Sequence, residues 1–357
     1  MRPVRVLLAA TLAAFGLGLG GAGARDARVS ASPELTPRQQ VGQLLLLRFR
    51  GTAVPAYVRR LLRERRVAGV VLFRDNVRSP GQLRELTTIL RRAGGRPIVA
   101  VDQEGGAVRI IRWAPPAASA PEQAATGTVR TSAQHAARAL RAAGISVTLA
   151  PVADVPSVAD AALASRSFSS NTGVASNALR SAVRGWRAGG IASTAKHFPG
   201  LGGAMGNTDD ASVTISRSRP QLQARDLPPF RAAIAAGVPL VMVGHARYPA
   251  LDPDRIASQS PAIIDDLLRD RLGFRGVVVT DSMEAEASLS TGDVATAGVR
   301  AVRAGADLLL LTGEGSYAPV YRRLLAAARR SPAFRARVRE SAARVLALKA
   351  RGALPPR

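Results

Sequence analysis

The chain has no cysteine, which excludes disulfides and a lipid-modified amino-terminal cysteine and leaves stability to the size of the core. Lysine is nearly as scarce. Of the 50 Lys and Arg residues among 357, only Lys196 and Lys349 are Lys, and there are only three His. Aromatic residues make up 4% of the chain, so few platforms exist on which nucleic-acid bases could stack. The positive residues are spread over every predicted helix instead of gathering on one element. The net charge of +25 is therefore read as compositional habit and not as specific nucleic-acid binding. Its secondary effect would be adhesion to anionic envelope polymers. No apolar run reaches the ~20 residues of a membrane span. No His/Asp/Glu cluster has metal-ligand spacing, and neither a metal nor a cofactor is expected.

What is present points to one large folded unit behind a short leader. Arg2 and Arg5 precede an apolar run from Val6 to Leu19, and Ala22-Gly23-Ala24 offers a small-residue cleavage site. Residues 1–24 therefore read as a secretory signal peptide, 25–33 as a linker and 34–357 as a single domain. The 47% of hydrophobic residues suffices for a large core.

Apolar runs and helical spacings alternate through that domain. Strands are expected over Leu44–Phe49, Gly69–Phe73, Pro97–Asp102, Ile145–Val155, Ile191–Lys196, Leu240–Gly244, Gly276–Thr280 and Asp307–Leu311. A helix is expected after each, with a second helix closing the chain. Val/Ile/Leu runs without polar alternation mean strands covered on both faces, hence a parallel sheet. Eight βα units suit an α/β fold of the closed (β/α)8 TIM-barrel type, with a doubly wound sheet as the competitor. Polar residues follow many different strands instead of one switch point, which favours the barrel.

The strand ends carry the chemistry. The third ends in Asp102-Gln103-Glu104-Gly105-Gly106, and the fourth gives Asp154 and then Arg166-Ser167-Phe168. The fifth reaches Lys196-His197 and breaks at Phe198-Pro199-Gly200 into a glycine loop that finishes on Asn207-Thr208-Asp209-Asp210. The sixth gives His245, and the seventh ends on Asp281 with Glu284 and Glu286 beyond. In a chain that avoids lysine, Lys196 stands out as more than a surface charge. Lys196 and His197 are consecutive, so a regular strand would point them to opposite faces. Both reach one ligand only if the strand ends there. His245 reads as a structural neighbour of the site, and His135 as an ordinary residue on a helix face.

The stretches GVVLFRDN, AVDQEGG, RSFSS, KHFPG, MVGHARYPALDP and GFRGVVVTDSMEAEA together resemble family 3 of the glycoside hydrolases. Within that family the resemblance is to the single-domain bacterial β-N-acetylhexosaminidases acting on cell-wall sugars. It covers roughly Leu35 to Leu354. It implies a secreted, exo-acting retaining enzyme in which Asp281 is the catalytic nucleophile. Asp102, Arg166, Lys196 and His197 would hold the hydroxyls of the terminal sugar.

The same resemblance exposes departures. The branch places an Asp-Ser-His acid/base pattern after KHFPG, and here the matching residues are Asn207-Thr208-Asp209. Asp209 thus stands where the histidine is expected and becomes the candidate acid/base. Its proton affinity should be raised by the neighbouring Asp210 and by closure of the loop. Leu201 replaces a frequent His. Ala107 and Ile110 occupy the two positions where Arg follows the glycine turn. A non-catalytic wall-glycan binder and a phosphorylase are the alternatives that these losses leave open.

Overall fold

The computed structural model describes residues 35–351; the expected signal peptide over 1–24 and linker over 25–33 lie outside the described residues. Eight parallel strands close into a barrel: β1 (Leu45–Arg48), β2 (Gly69–Leu72), β3 (Ile98–Val101), β4 (Val147–Thr148), β5 (Ala192–Phe198), β6 (Leu240–Val243), β7 (Val277–Ser282) and β8 (Leu308–Leu311). Each pairs with its sequence neighbours, and β8 returns to β1 through Leu45↔Leu309 and Leu46↔Leu310. This is the (β/α)8 TIM-type barrel expected from the sequence. Against it pack α1 (Ala56–Arg63), α2 (Pro80–Arg92), α3 (Val129–Ala142), α4 (Thr172–Ala188), α5 (Leu227–Ala235), the wide-turned α6 (Ala262–Arg271), α7 (Val294–Arg303), α8 (Tyr317–Arg330) and α9 (Pro332–Ala350). Local chemistry sets their starts. Ser79 accepts a hydrogen bond from the Gln82 amide ahead of Pro80, and Asn171, Asp293 and Ser331 cap α4, α7 and α9 in the same way. Among the described residues no helix is long and apolar enough to cross a membrane.

The strand residues divide into two apolar layers. Leu46, Val71, Ile98, Ala100, Val147, Leu149, Ala192, Leu240, Met242, Val277, Val279, Leu308 and Leu310 fill the barrel interior. The alternate residues, such as Val70, Val99, Val241, Val278 and Leu309, face the helices. Successive side chains of a strand point to opposite faces, so a short Val/Ile/Leu run supplies both layers at once. Val345 and Leu348 of α9 join the interior cluster from below and close its floor. Beneath β8, the fully buried Asp307 receives Arg269 at 2.6 Å, Arg337 at 2.7 Å and Arg344 at 3.1 Å. One carboxylate thus draws three arginines together at the end of the barrel away from the strands' carboxyl ends.

Candidate active site

The inward parity of the strands, carried one or two residues past the packed interior, builds a pocket at their carboxyl ends. On β1 it runs Leu46, then Arg48; on β3 it runs Ile98, Ala100, then Asp102. On β5 it runs Ala192, Thr194, then Lys196, and on β7 it runs Val277, Val279, then Asp281. All four polar residues line a cavity of about 480 Å³. The alternation that packs the barrel therefore delivers its chemistry to one place. His197 breaks the parity. It nevertheless lines the same cavity, at a point where the Lys196–His197 peptide is cis and the pairing of β5 with β6 shifts between Ala195 and Phe198.

One wall is a compact set of alternating charges. Lys196 Nζ lies 2.5 Å from Asp102 Oδ1 and 2.7 Å from Glu104 Oε1. Arg166 donates through Nε at 2.9 Å and Nη2 at 2.7 Å to the two oxygens of Glu104, a bidentate pair. Burial opposes the charge on Glu104, but Lys196 and Arg166 outweigh it and bring its pKa down to about 2. Burial likewise opposes the charge on Lys196, and Asp102 and Glu104 reverse that and raise it. Glu104 follows Asp102 by two residues, and the turn behind it is held closely. A Cβ on Gly105, whose φ is +112°, would lie 2.2 Å from the Ala118 carbonyl oxygen, so only glycine fits.

The other wall centres on Asp281. The buried Asp154 accepts from the His197 amide, from the Leu201 amide at 2.6 Å, and from His197 Nδ1 at 2.8 Å. A carboxylate only accepts, so Nδ1 carries the proton and Nε2 is turned towards Asp281, 3.9 Å from Oδ2. Asp154 is thus more than a loop cap, because it fixes both the imidazole and the start of the glycine loop. Burial pushes Asp281 towards its neutral form, but His197, His245, the Ser282 amide and Lys196 together hold its carboxyl below the usual value. Lys196 is the weakest of these influences, and its ammonium is paired with Asp102 and Glu104. His245 donates from Nε2 to the Ser282 carbonyl at 2.8 Å and accepts at Nδ1 from Ser258 at 2.7 Å. Burial lowers its pKa. It acts by holding the backbone beside Asp281, in line with the structural role expected of it.

Asp209 stands at the mouth of the same cavity. Although its side chain is open to solvent, its carboxyl is raised above the ordinary value, first by partial desolvation and then by the charge of Asp281, against a hydrogen bond from Asn207. The direction is the one expected, but the charge responsible is Asp281 across the pocket and not the adjacent Asp210. Nor does the loop hang free to swing. The Glu286 amide donates to the Asp209 carbonyl at 3.1 Å and the Ala287 amide to the Thr208 carbonyl at 3.2 Å. The glycine loop after β5 is thereby stitched to the segment that follows Asp281. A Cβ on Gly202 would lie 1.9 Å from the Val155 carbonyl oxygen, so the loop also lies flat against the segment after β4.

All six residues singled out from the sequence, Asp102, Arg166, Lys196, His197, Asp209 and Asp281, line this one cavity. Glu104 and Asp154 were missed as members of the site, although both lie within the stretches that drew attention. The signal that could have found Glu104 is its i+2 spacing from Asp102, which returns it to the same side of an extended chain. Glu284 lines the cavity but is committed: its Oε2 accepts from the Thr312 amide at 2.7 Å and from the Thr312 and Ser282 hydroxyls. Glu286 and His135 are exposed outside it.

Comparison with known proteins agrees with this geometry. Residues 36–348 match the glycosyl hydrolase family 3 N terminal domain. A beta-hexosaminidase of Stenotrophomonas maltophilia is 38% identical over 283 residues, which is 75% of this chain and 83% of that protein. The beta-N-acetylhexosaminidase from Beutenbergia cavernae is 33% identical and superposes with a TM-score of 0.78, over 89% of this chain and 99% of its own. A family 3 beta-N-acetylglucosaminidase from a Paenibacillus species superposes with a TM-score of 0.82 and 33% identity over 88% of this chain, which spans 62% of that larger enzyme. Sequence, fold and pocket therefore converge on an enzyme, not on the non-catalytic glycan binder that the lost histidine left open: the chain is a glycoside hydrolase and belongs to glycosyl hydrolase family 3.

Proposed function

We propose that the protein is an exo-acting, retaining β-N-acetylhexosaminidase that removes terminal β-linked N-acetylglucosamine from cell-wall glycans, with Asp281 as nucleophile and Asp209 as acid/base. One observation carries this reading. Two carboxylates line the same cavity, and their surroundings push them apart, Asp281 towards the ionised form and Asp209 towards the protonated form. That division of labour is what a double-displacement glycosidase requires.

In the first step the Asp281 carboxylate attacks the anomeric carbon while the Asp209 proton passes to the departing glycosidic oxygen, leaving a glycosyl ester on Asp281. In the second step Asp209, now a carboxylate, takes a proton from water as the water oxygen displaces Asp281. Lys196 has given two of its three N–H groups to Asp102 and Glu104, so one remains for a sugar hydroxyl. Arg166 keeps Nη1 free beside it, and the outer oxygen of Asp102 can accept. A pocket of about 480 Å³ floored by the packed barrel interior suits one terminal sugar and so an exo mode of attack. The names of the related enzymes favour an N-acetylated hexosamine in that position. The leader-like amino-terminal sequence favours export, and the net charge of +25 would then retain the protein at anionic envelope polymers.

The test is turnover of a chromogenic β-N-acetylglucosaminide, with Asp281→Asn as its partner experiment. The wild type is expected to release the chromophore with net retention at the anomeric carbon, and the folded variant to lose nearly all turnover. A folded Asp281→Asn protein as active as the wild type would overturn the assignment.

A further inference from the structure

A second concave surface, separate from the catalytic pocket, lies where the hairpin that follows β6 meets α7. It is a groove of about 590 Å³ lined by Arg247, Arg255, Arg300 and Arg303, with Gln259 and Asp254 among its polar neighbours. One bank is the hairpin after β6, made by Arg247–Tyr248 and Asp252–Ile256, and the other is α7. Arg247 and Arg300 each donate to a main-chain carbonyl, of Asp254 and Thr291 respectively, and Arg303 stacks 5.7 Å from the Phe334 ring centre. Among the described residues none of these three has a carboxylate within 4.0 Å, whereas Arg255 pairs with Asp252 at 3.5 Å. Carbonyl contacts orient a guanidinium without neutralising it. The groove therefore keeps a net positive charge, its arginines outnumbering the Asp254 and Asp252 carboxylates beside them, in one concavity where that field is focused.

Arginines presented in this way match the oxygens of a phosphate group. The shape favours an extended ligand over a single ion. The α7 bank rises about 1.5 Å per residue, so Arg300 and Arg303 sit nearly one turn apart along it. Among the described residues no aromatic side chain lines the groove, so it offers no stacking surface of the kind that single-stranded nucleic acid uses. At its upper end the groove meets the catalytic face. The Arg247 amide donates to the Val213 carbonyl at 2.8 Å and its carbonyl accepts from Ile215 at 2.9 Å, in the segment that continues from the Asp209 loop.

We propose that this groove binds a phosphodiester polymer without bases, a polyol-phosphate chain of the cell envelope, and holds it beside the catalytic pocket. The source of the polymer rests on the extracytoplasmic reading above; the chemistry of the site does not. The test uses the full chain and purified poly(glycerol phosphate) at low salt. Arg247→Gln, Arg300→Gln and Arg303→Gln combined should weaken binding about tenfold or more and leave hydrolysis of a small neutral substrate unchanged. A matched triple, Arg59→Gln, Arg84→Gln and Arg138→Gln, removes the same charge from exposed helix faces elsewhere and should stay within about twofold of the wild type. Equal losses in both triples would show that net charge alone does the work and overturn the site. Tighter binding of an oligothymidylate than of poly(glycerol phosphate) would overturn the ligand class. Should the groove triple fail to fold, the exposed pair Arg300→Gln and Arg303→Gln carries the same comparison. If the protein proves not to be exported, the retention reading fails while the two triples still decide the site.

Discussion

Replacing Glu104 by Gln keeps the shape of the side chain and removes one charge from the centre of the sugar-binding wall. In the wild type, Asp102 and Glu104 balance Lys196 and Arg166. The variant leaves one cation unbalanced at a position where the Glu104 side chain is only 4% exposed, so solvent does little to screen the change. The fall of the Glu104 pKa from 4.5 to about 2 measures how strongly the fold favours the ionised form, roughly 3 kcal/mol at about 1.4 kcal/mol per unit. The sign follows from linkage. A depressed carboxyl stabilises the fold fully above its unfolded pKa, and that stability drains away as pH falls from 4.5 towards 2. Glu104→Gln should therefore lower unfolding stability by roughly 3 kcal/mol at pH 7 and lose the part of the acid dependence that Glu104 supplies. Urea unfolding of both proteins at pH 7 and pH 3 measures it. Activity should fall as well, by about tenfold or more in kcat/KM, because Lys196 and Arg166 lose the group that aims them. A variant as stable as the wild type at pH 7, with the same acid dependence, would refute the reasoning.

Three further outcomes are expected. Activity on glycans should peak on the acid side of neutrality, because Asp209 must be protonated and Asp281 ionised, and the alkaline limb should disappear in Asp209→Ala assayed with an activated aryl glycoside that needs no proton. A pH–rate profile of that variant with the alkaline limb intact would remove Asp209 from the role. Azide should also accelerate Asp209→Ala by attacking the glycosyl-enzyme without needing a base. At the barrel floor, the one hydrogen bond of the Lys349 ammonium among the described residues goes to Gln43 at 2.7 Å, and burial with repulsion from Arg65 pushes its pKa down to about 7. Since an unfolded lysine titrates near ~10.4, stability should rise by roughly 4 kcal/mol from pH 7 to pH 10, and denaturant midpoints of Lys349→Met should lack that rise.

Much of this arrangement can be read from the sequence because the barrel uses a strict alternation. Once Val277 and Val279 are taken as interior, Asp281 must follow them inward, and the same step carries Ala100 to Asp102 and Thr194 to Lys196. Fold and pocket come from one period. What lay beyond reach depends on contacts between distant segments. Nothing in the spacing tells that Lys196 spends its charge on Glu104, 92 positions earlier, and not on Asp281. The role of Asp154 is hidden for the same reason, since its partners His197 and Leu201 lie at the end of β5 and in the loop after it. The turning of His197 into the pocket goes with a shift in the β5–β6 register between Ala195 and Phe198, for which no local pattern speaks. The tethering of the Asp209 loop by the Glu286 and Ala287 amides is main-chain chemistry, invisible in side-chain identity.

The central claim is that Asp281 forms a covalent bond to the sugar while Asp209 handles the proton. Incubation with a slowly turned-over fluorinated N-acetylglucosaminide, followed by proteolysis and mass spectrometry, tests it most directly. The account predicts one glycosyl group on the peptide containing Asp281, absent from Asp281→Asn and accumulating further in Asp209→Ala. A label on Asp209 or Glu284, or continued turnover with net inversion at the anomeric carbon, would contradict it.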